Sequence, residues 1–233
     1  MRLNRPCGLL LLLLGVPCHG AAAQPVATAT VSGQLALLER TGATKADLAS
    51  VIVYLQPLGA FADEVRDVGR DEASIVMHGR EFVPHTAVIR TGGSVRFPND
   101  DPFSHNVFSN TDPERFDLGL YRRGTTRTTS FRRPGVYAIY CNIHARMVSY
   151  VIAVPTRHVV SAQSDGRFTL ADVPFGTYRL HVWHERATPA SVELTVIAST
   201  APVRLTLDAR GYVAGPHLNK FGMPYSSTRA DRY

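Results

Sequence analysis

The short stretch YCNIHARM, at residues 140–147, places Cys141, His144 and Met147 at the spacing C-x2-H-x2-M. A further histidine, His105, lies upstream in DDPFSHNVFSN, just past the end of a predicted strand. Together these four side chains offer a thiolate, two imidazoles and a thioether. Such ligands suit copper, with the two histidines and the cysteine in one plane and the methionine as a long axial ligand. Zinc also accepts cysteine and histidine, so the spacing alone leaves both metals open.

The cysteine count makes Cys141 more informative. Residues 1–23 carry Arg2 and Arg5, a leucine run and three closing alanines, which is the pattern of a secretory signal peptide rather than of a membrane span. Its removal would also remove Cys7 and Cys18. Cys141 would then stand alone in an exported protein, which we expect to be periplasmic, and could form no internal disulfide. It is therefore either a buried apolar residue or a thiol with a function.

Alternating apolar residues dominate the chain, and helical periodicity is scarce. Segments such as GVYAIYC (135–141) and MVSYVIAV (147–154) alternate or are rich in β-branched and aromatic residues, and Gly, Pro, Asn and Asp clusters separate such segments. Short strands at this spacing predict an all-β fold of the sandwich type. The stretch from Phe61 to Glu72 is predicted as either a helix or a loop. Residues 210–233 lack alternation and are predicted as an extended or disordered tail.

The span 72–155 resembles the cupredoxin family in two segments, FVPHTAVIRTGGSVRFPNDDPFSHNVFS and FRRPGVYAIYCNIHARMVSYVIAV. The first is similar to the family's F-x-P, V-x-x-G-x-x-V-x-F-x-N and H-N elements in their usual order. The second is similar to its copper strand and to the short ligand loop of amicyanin and pseudoazurin. The resemblance implies a Greek-key β-sandwich that binds one type-1 copper ion, with four ligands: His105, Cys141, His144 and Met147.

The same resemblance implies roles for two neighbours of the ligands. Asn106 matches an asparagine that ties the two ligand loops together by hydrogen bonds in many cupredoxins. Ile143 stands where amicyanin-type loops carry proline, which has no N–H. We hypothesise that the Ile143 N–H bonds the Cys141 sulfur, stabilises the Cu(II)–thiolate state and lowers the reduction potential. Contacts of this kind orient ligands and tune a metal.

A second resemblance concerns SDGRFTLADVPFGTYRLHVWHE, residues 164–185. D-G-x-F followed by P-x-G-x-Y is similar to the signature of the carboxypeptidase regulatory-like family, which implies a small transthyretin-like β-sandwich. The usual first strands of that family resemble residues 29–58. We therefore expect one sandwich built from residues 29–58 and 157–209, with the cupredoxin span inserted between them, which is reasonable because sandwich termini often lie close together. Two separate domains in series are the alternative.

These observations predict a periplasmic type-1 copper protein that carries single electrons between redox partners. The combination of the two segments is similar to that in bacterial proteins described as methylamine-utilisation or plastocyanin-like. One alternative is a copper-handling chaperone or scavenger with the same four ligands. Another is a structural module with a non-redox cupredoxin fold. No enzyme is expected, because four protein ligands leave copper no open position and no serine has the setting of a nucleophile elbow.

The charge of the chain limits the classes of partner that we expect. Of the 25 Lys and Arg residues, 23 remain without Arg2 and Arg5, against 19 Asp and Glu, which leaves a modest excess of +4. Such an excess is compatible with an acidic partner or an anionic lipid surface but falls short of a nucleic-acid signature. We expect a redox protein as partner, no nucleic acid and no membrane span. Five arginines form either a docking face for an acidic partner or an ordinary solvated face: Arg122, Arg123, Arg127, Arg132 and Arg133.

Overall fold

The structure is a computed structural model that describes residues 26–41, 47–59 and 71–225. The signal peptide predicted for residues 1–23 lies outside the described residues. The same holds for residues 61–70 of the predicted helix or loop, whereas Glu72 begins a strand. In the described ranges the regular structure consists of strands and one 3-10 turn at Leu48–Ser50. The predicted all-β fold is therefore confirmed.

Seventeen strands follow one another along these described ranges. They are β1 (Thr28–Leu38), β2 (Ile52–Pro57), β3 (Glu72–Ser74), β4 (Val76–His78), β5 (Glu81–Val83), β6 (Thr86–Arg90), β7 (Ser94–Pro98), β8 (His105–Ser109), β9 (Phe116–Tyr121), β10 (Thr126–Ser130), β11 (Gly135–Tyr140), β12 (Val148–Val154), β13 (Val159–Ser161), β14 (Arg167–Pro174), β15 (Gly176–Trp183), β16 (Ala190–Val196) and β17 (Val203–Asp208).

Strands β3 to β12 form the sandwich that carries the predicted ligands. One sheet has the order β6-β12-β11-β8-β9, a second has the order β10-β7-β3, and β4 pairs with β5. Alternation explains the packing, because successive side chains of a strand point to opposite faces. Tyr137 and Ile139 of β11 are thus buried in one apolar cluster with Val95 and Phe97 of β7. This core joins the sheets face to face, as in other β-sandwiches.

The remaining strands surround a second core. Here β1 lies between β14 and β17, and β2 lies between β13 and β15, with β16 at the edge. β1 runs antiparallel to β14 and parallel to β17. Leu35 of β1, Leu55 of β2 and Leu180 of β15 are buried in this core. Strands from both sides of residues 72–154 therefore share the same sheets.

A small apolar cluster joins the two sandwiches. Ile52 and Trp183 meet Ile152 and Val154 of β12 there. The Trp183 ring lies 5.1 Å from the ring of Tyr150. Ile52 is the first residue of β2 and Trp183 is the last residue of β15. The cluster therefore packs the second sandwich against β12, in the sheet that carries the ligand loop.

The predicted tail is extended but not disordered over the part that the structure describes. Residues 209–225 contain no strand, yet the backbone N–H of His217 donates to the carbonyl of Ala145 at 2.9 Å. The hydroxyl of Tyr225 donates to the carbonyl of Cys141 at 2.8 Å. Of the two alternatives, the described residues follow the extended one, because the chain turns back after β17 and hydrogen-bonds to the predicted ligand loop.

Candidate metal centre

Two antiparallel strands bring the predicted ligands to one end of the first sandwich. His105 is the first residue of β8, and Cys141 directly follows β11. The two strands pair through Phe108 and Tyr140, so the start of β8 lies beside the end of β11. Both side chains are fully buried. The sheet register, rather than the loop alone, therefore sets His105 against the cysteine.

The geometry of three ligands fits a metal ion held in a plane. The Sγ atom of Cys141 lies 3.6 Å from Nδ1 of His105 and 3.6 Å from Nδ1 of His144. Their ligand atoms all lie within 4.8 Å of one another. A trigonal site with bonds of about 2.3 Å to sulfur and about 2.0 Å to nitrogen would separate sulfur and nitrogen by about 3.7 Å. The observed spacing matches that value.

Met147 is the last residue of the loop that begins at Cys141. Its backbone N–H donates to the carbonyl of His144 at 3.0 Å, and its carbonyl accepts from the Cys141 N–H at 3.2 Å. The side chain is only 2 % exposed and belongs to the same apolar cluster as Cys141. The structure therefore places the thioether side chain in the buried core that also contains Cys141.

Both histidines are held in the neutral form that binds metals. Burial lowers the pKa of His105. Burial, together with the nearby His105 and Arg80, lowers the pKa of His144 to about 4. The Nε2 atom of His144 is buried and has no hydrogen-bond partner among the described residues. The ring is 8 % exposed and lines a cavity of about 560 Å³ beside Phe103 and Leu120.

The surroundings of Cys141 act on the pKa of its thiol in opposite directions. Burial raises the pKa of the Cys141 thiol, whereas hydrogen bonds from three backbone N–H groups, those of Asn106, Ile143 and His144, lower it. Such bonds favour the thiolate, which is the form that binds a metal. The donor role expected for the Ile143 N–H stays a prediction, in agreement with the direction of its effect on the thiol pKa.

The side chain of Asn106 departs from its expected role. It was expected to tie the two ligand loops together, but its amide Nδ2 donates to Asp117 of β9 at 2.6 Å. Its Oδ1 is buried and has no hydrogen-bond partner in the described part of the chain. The backbone N–H of Asn106 lowers the pKa of the Cys141 thiol.

Asp101 is a site residue that the sequence prediction missed. Its Oδ2 lies 2.6 Å from Nε2 of His105, and both side chains are almost completely buried. The N–H groups of Gly79 and Arg80 donate to the same carboxylate at 2.6 and 3.0 Å. Nε2 of His105 therefore holds the ring proton, which leaves Nδ1 free to face the sulfur. The signal was an aspartate four residues before a predicted ligand.

The five arginines do not form a single patch around the site. Arg122 and Arg123 lie in the turn after β9, next to Asn99, whose carbonyl accepts from Gly124. Arg132 and Arg133 follow the far end of β10, because β10 begins opposite Pro98 and ends opposite Ser94. All five are exposed. Only the first two lie toward the metal end of the sandwich.

Comparisons with known proteins identify several relatives of the chain. No protein-family model matches the chain. The chain is 30% identical over 145 residues to the chloroplastic plastocyanin of Chlamydomonas reinhardtii, over 58% of this chain and 92% of that protein. It is 28% identical over 91 residues to plastocyanin of Ulva pertusa, over 35% of this chain and 88% of that protein. A purple cupredoxin from Nitrosopumilus maritimus is 26% identical, with a TM-score of 0.32 over 35% of this chain and 98% of that one.

Proposed function

The chain belongs to the plastocyanin family, and from that premise we propose that it is a type-1 copper protein that carries single electrons. The observation that carries the proposal is the buried cysteine sulfur at 3.6 Å from both imidazole Nδ1 atoms. His105, Cys141 and His144 would hold copper in a plane, and Met147 would supply the axial thioether. A thioether beside that plane favours copper over zinc, whose usual ligands are thiolate, imidazole and carboxylate.

Bound copper supplies one-electron chemistry, and the chain supplies a site that changes little between the two oxidation states. The backbone N–H groups of Asn106, Ile143 and His144 lower the pKa of the Cys141 thiol, and Asp101 fixes the ring of His105. Polar groups already oriented in a buried site need little rearrangement when the charge changes. This arrangement supports an electron carrier.

Burial of the ligands weighs against the other candidate functions. His105, Cys141 and Met147 are at most 2 % exposed, and His144 is 8 % exposed. A chaperone or scavenger must release its metal to a partner, which needs an accessible ligand. An enzyme needs an open coordination position, and a full set of four protein ligands would leave none. A structural module without metal has no need for two neutral histidines against one thiol.

We propose that the protein works in the periplasm with an acidic redox protein. The support is the signal-like sequence at residues 1–23 and the excess of basic residues. Electrostatic attraction of this kind speeds encounter. Arg122 and Arg123 are the best placed for it, since they lie toward the metal end. No helix in the described ranges is long and apolar enough to cross a membrane.

The two sandwiches suggest a domain organisation that we also propose. The copper domain, residues 72–155, would be inserted into a regulatory-like domain built from residues 29–58 and 157–209. The support is the sheet order, in which β1 pairs with β14 and β17 while β2 pairs with β13 and β15. The N-terminal strands thus pair with strands that follow the copper sandwich.

The decisive experiment is the visible absorption spectrum of the protein without residues 1–23, loaded with Cu(II), beside the variant Cys141→Ser. We expect an intense band in the red from charge transfer between thiolate and Cu(II), and its loss in the variant. A colourless protein that binds only Cu(I) would favour copper handling, and failure to bind either ion would overturn the proposal. Reversible voltammetry of the loaded protein then separates a carrier from a chaperone.

A further inference from the structure

Residues 217–225 cross the predicted ligand loop, Cys141–Met147, and we call them the C-terminal strap. Three hydrogen bonds join the strap to three different loop residues: His217 N–H to the Ala145 carbonyl at 2.9 Å, Lys220 N–H to Asn142 Oδ1 at 2.9 Å, and the Tyr225 hydroxyl to the Cys141 carbonyl at 2.8 Å. The loop itself contains two backbone hydrogen bonds, at 3.0 and 3.2 Å. The strap therefore supplies more hydrogen bonds to the loop than those two.

The ring of His217 contacts both β11 and the ligand loop. It stacks on Tyr140, with ring centroids 4.4 Å apart and planes 29° apart. Its Nε2 lies 3.2 Å from the carbonyl oxygen of His144, and its Nδ1 lies 2.8 Å from the carbonyl oxygen of Leu218, so each ring nitrogen faces an acceptor. One side chain of the strap thus contacts both the residue before Cys141 and a predicted ligand.

A second set of contacts connects the strap to β8, the strand that begins with His105. Nζ of Lys220 lies 2.6 Å from Oδ2 of Asp117. Oδ1 of the same carboxylate accepts from the side chain of Asn106 in β8 at 2.6 Å. The strap therefore contacts both the loop and, through Asp117, the strand beside it.

Apolar burial does not account for the position of the strap. Three of its apolar side chains face solvent: Leu218 is 52 % exposed, Phe221 70 % and Met223 55 %. A segment held by the hydrophobic effect would bury these groups. The strap is held instead by hydrogen bonds and by the stacked ring of His217, all of which end on the loop or its neighbours.

We propose that the C-terminal strap is part of the metal centre, with His217 and Tyr225 as positioning residues that hold the ligand loop ready for the metal. The inference rests on the copper binding proposed above. A loop fixed before the metal arrives loses less conformational entropy on binding. The strap thus slows opening of the loop without metal and slows loss of copper from the loaded site.

The test compares two shortened chains with the full chain. One ends at Tyr225 and keeps the strap, and the other ends at Gly215 and lacks it. In the metal-free proteins, amide hydrogen exchange at Cys141 and Met147 reports loop opening. We expect at least tenfold faster exchange in the chain ending at Gly215 and no change in the chain ending at Tyr225. The Leu35 amide, in the second sandwich, serves as an internal control and keeps its rate.

Copper-loaded protein gives an independent measurement. Removal of copper by a chelator should be about tenfold faster in the chain that ends at Gly215, and its Cu(II) EPR spectrum should change. Unchanged exchange at Cys141 and Met147 would overturn the strap proposal even if copper binds. Failure of the full chain to bind copper would instead overturn the proposed function, while the exchange measurement would still test the strap.

Point variants of the full chain test the same contacts without shortening it, so misfolding of the shortened chain would not decide the result. His217→Phe keeps a ring on Tyr140 and removes the N–H donor, and Tyr225→Phe removes only the hydroxyl. Each should speed exchange of the loop amides about fivefold, as expected for one hydrogen bond. Leu218→Ala, on the exposed side of the strap, is the matched control and should have no effect. If the loop amides exchange no faster in His217→Phe and Tyr225→Phe than in Leu218→Ala, the roles of His217 and Tyr225 are contradicted.

Discussion

Replacement of Asp101 by Asn tests how the protein sets its reduction potential. The substitution keeps the size of the side chain and an oxygen that can accept from Nε2 of His105, but it removes the negative charge. Although burial opposes that charge, hydrogen bonds from Arg80, His105 and Gly79 hold the pKa of Asp101 below its ordinary value. The wild-type carboxylate is therefore ionised, and it stabilises the more positive Cu(II) state.

The expected shift in reduction potential follows from the distance between the Asp101 carboxylate and the metal. Oδ2 of Asp101 lies 2.6 Å from Nε2 of His105. The width of an imidazole ring and a metal–nitrogen bond of about 2.0 Å extend this to about 7 Å between charge and metal. With an effective dielectric constant of about 20, the interaction is about 2.4 kcal/mol. Since about 1.4 kcal/mol corresponds to about 59 mV for one electron, Asp101→Asn should raise the potential by about 100 mV.

The assay is voltammetry of the copper-loaded protein, with Asp100→Asn as the matched control. Asp100 is the neighbouring aspartate, and its side chain is exposed, so its loss should shift the potential far less. Nitrogen NMR of the metal-free protein checks that His105 keeps its proton on Nε2 in both variants. A potential that falls, or that rises no more than in Asp100→Asn, would refute the assigned role of Asp101.

Three further predictions concern the thiol, the junction of the two sandwiches and the second core. Ile143→Pro removes an N–H donor to the sulfur and should raise the potential by about 40 mV if that bond is about 1 kcal/mol stronger in the oxidised state; an unchanged or lower voltammetric value contradicts it. The ion pair with Glu185 raises the pKa of His85 and lowers that of Glu185. The stability it adds, about 0.5 kcal/mol for a partly exposed pair, is lost as pH rises through the His85 pKa and as pH falls through the Glu185 pKa. Urea titrations between about pH 5.5 and about pH 8.5 should show the loss of stability at the His85 pKa in wild type and not in Glu185→Gln. The same pH dependence of stability in both proteins refutes the prediction. Gly33→Ala would place a Cβ 2.3 Å from the Val203 carbonyl oxygen and should lower the free energy of unfolding by about 1–3 kcal/mol, whereas an unchanged urea midpoint contradicts that crowding.

The ligand set was predictable because its information is local. Cys141, His144 and Met147 lie within seven residues, and the alternation of β11 already places Cys141 on the inward face. His105 required only a strand end and the resemblance to a known family. The donor role expected for Ile143 rests on one missing proline and stays a prediction. Each of these inferences depends on residue type and near neighbours, which a sequence states directly.

Asp101 and the C-terminal strap were not predictable in the same way. Asp101 meets His105 because the turn at Gly79 and Arg80 anchors its carboxylate, and that turn lies about twenty residues earlier. The strap binds carbonyl groups of the loop, and every residue type has a carbonyl, so no sequence pattern marks the contact. Polar residues without alternation suggest disorder. His217 lacks a partner at ligand spacing, and its contacts appear only in three dimensions.

The strap also couples the copper loop to the second sandwich. It begins soon after β17, where the Tyr212 N–H donates to the Ala209 carbonyl at 3.0 Å. Arg40 donates to the Tyr212 carbonyl at 3.0 Å, and the Arg186 guanidinium lies 5.4 Å from the Tyr212 ring. The second sandwich therefore fixes where the strap starts. Since the cluster around Trp183 fixes the same sandwich against β12, both sides of the ligand loop depend on residues outside the copper sandwich.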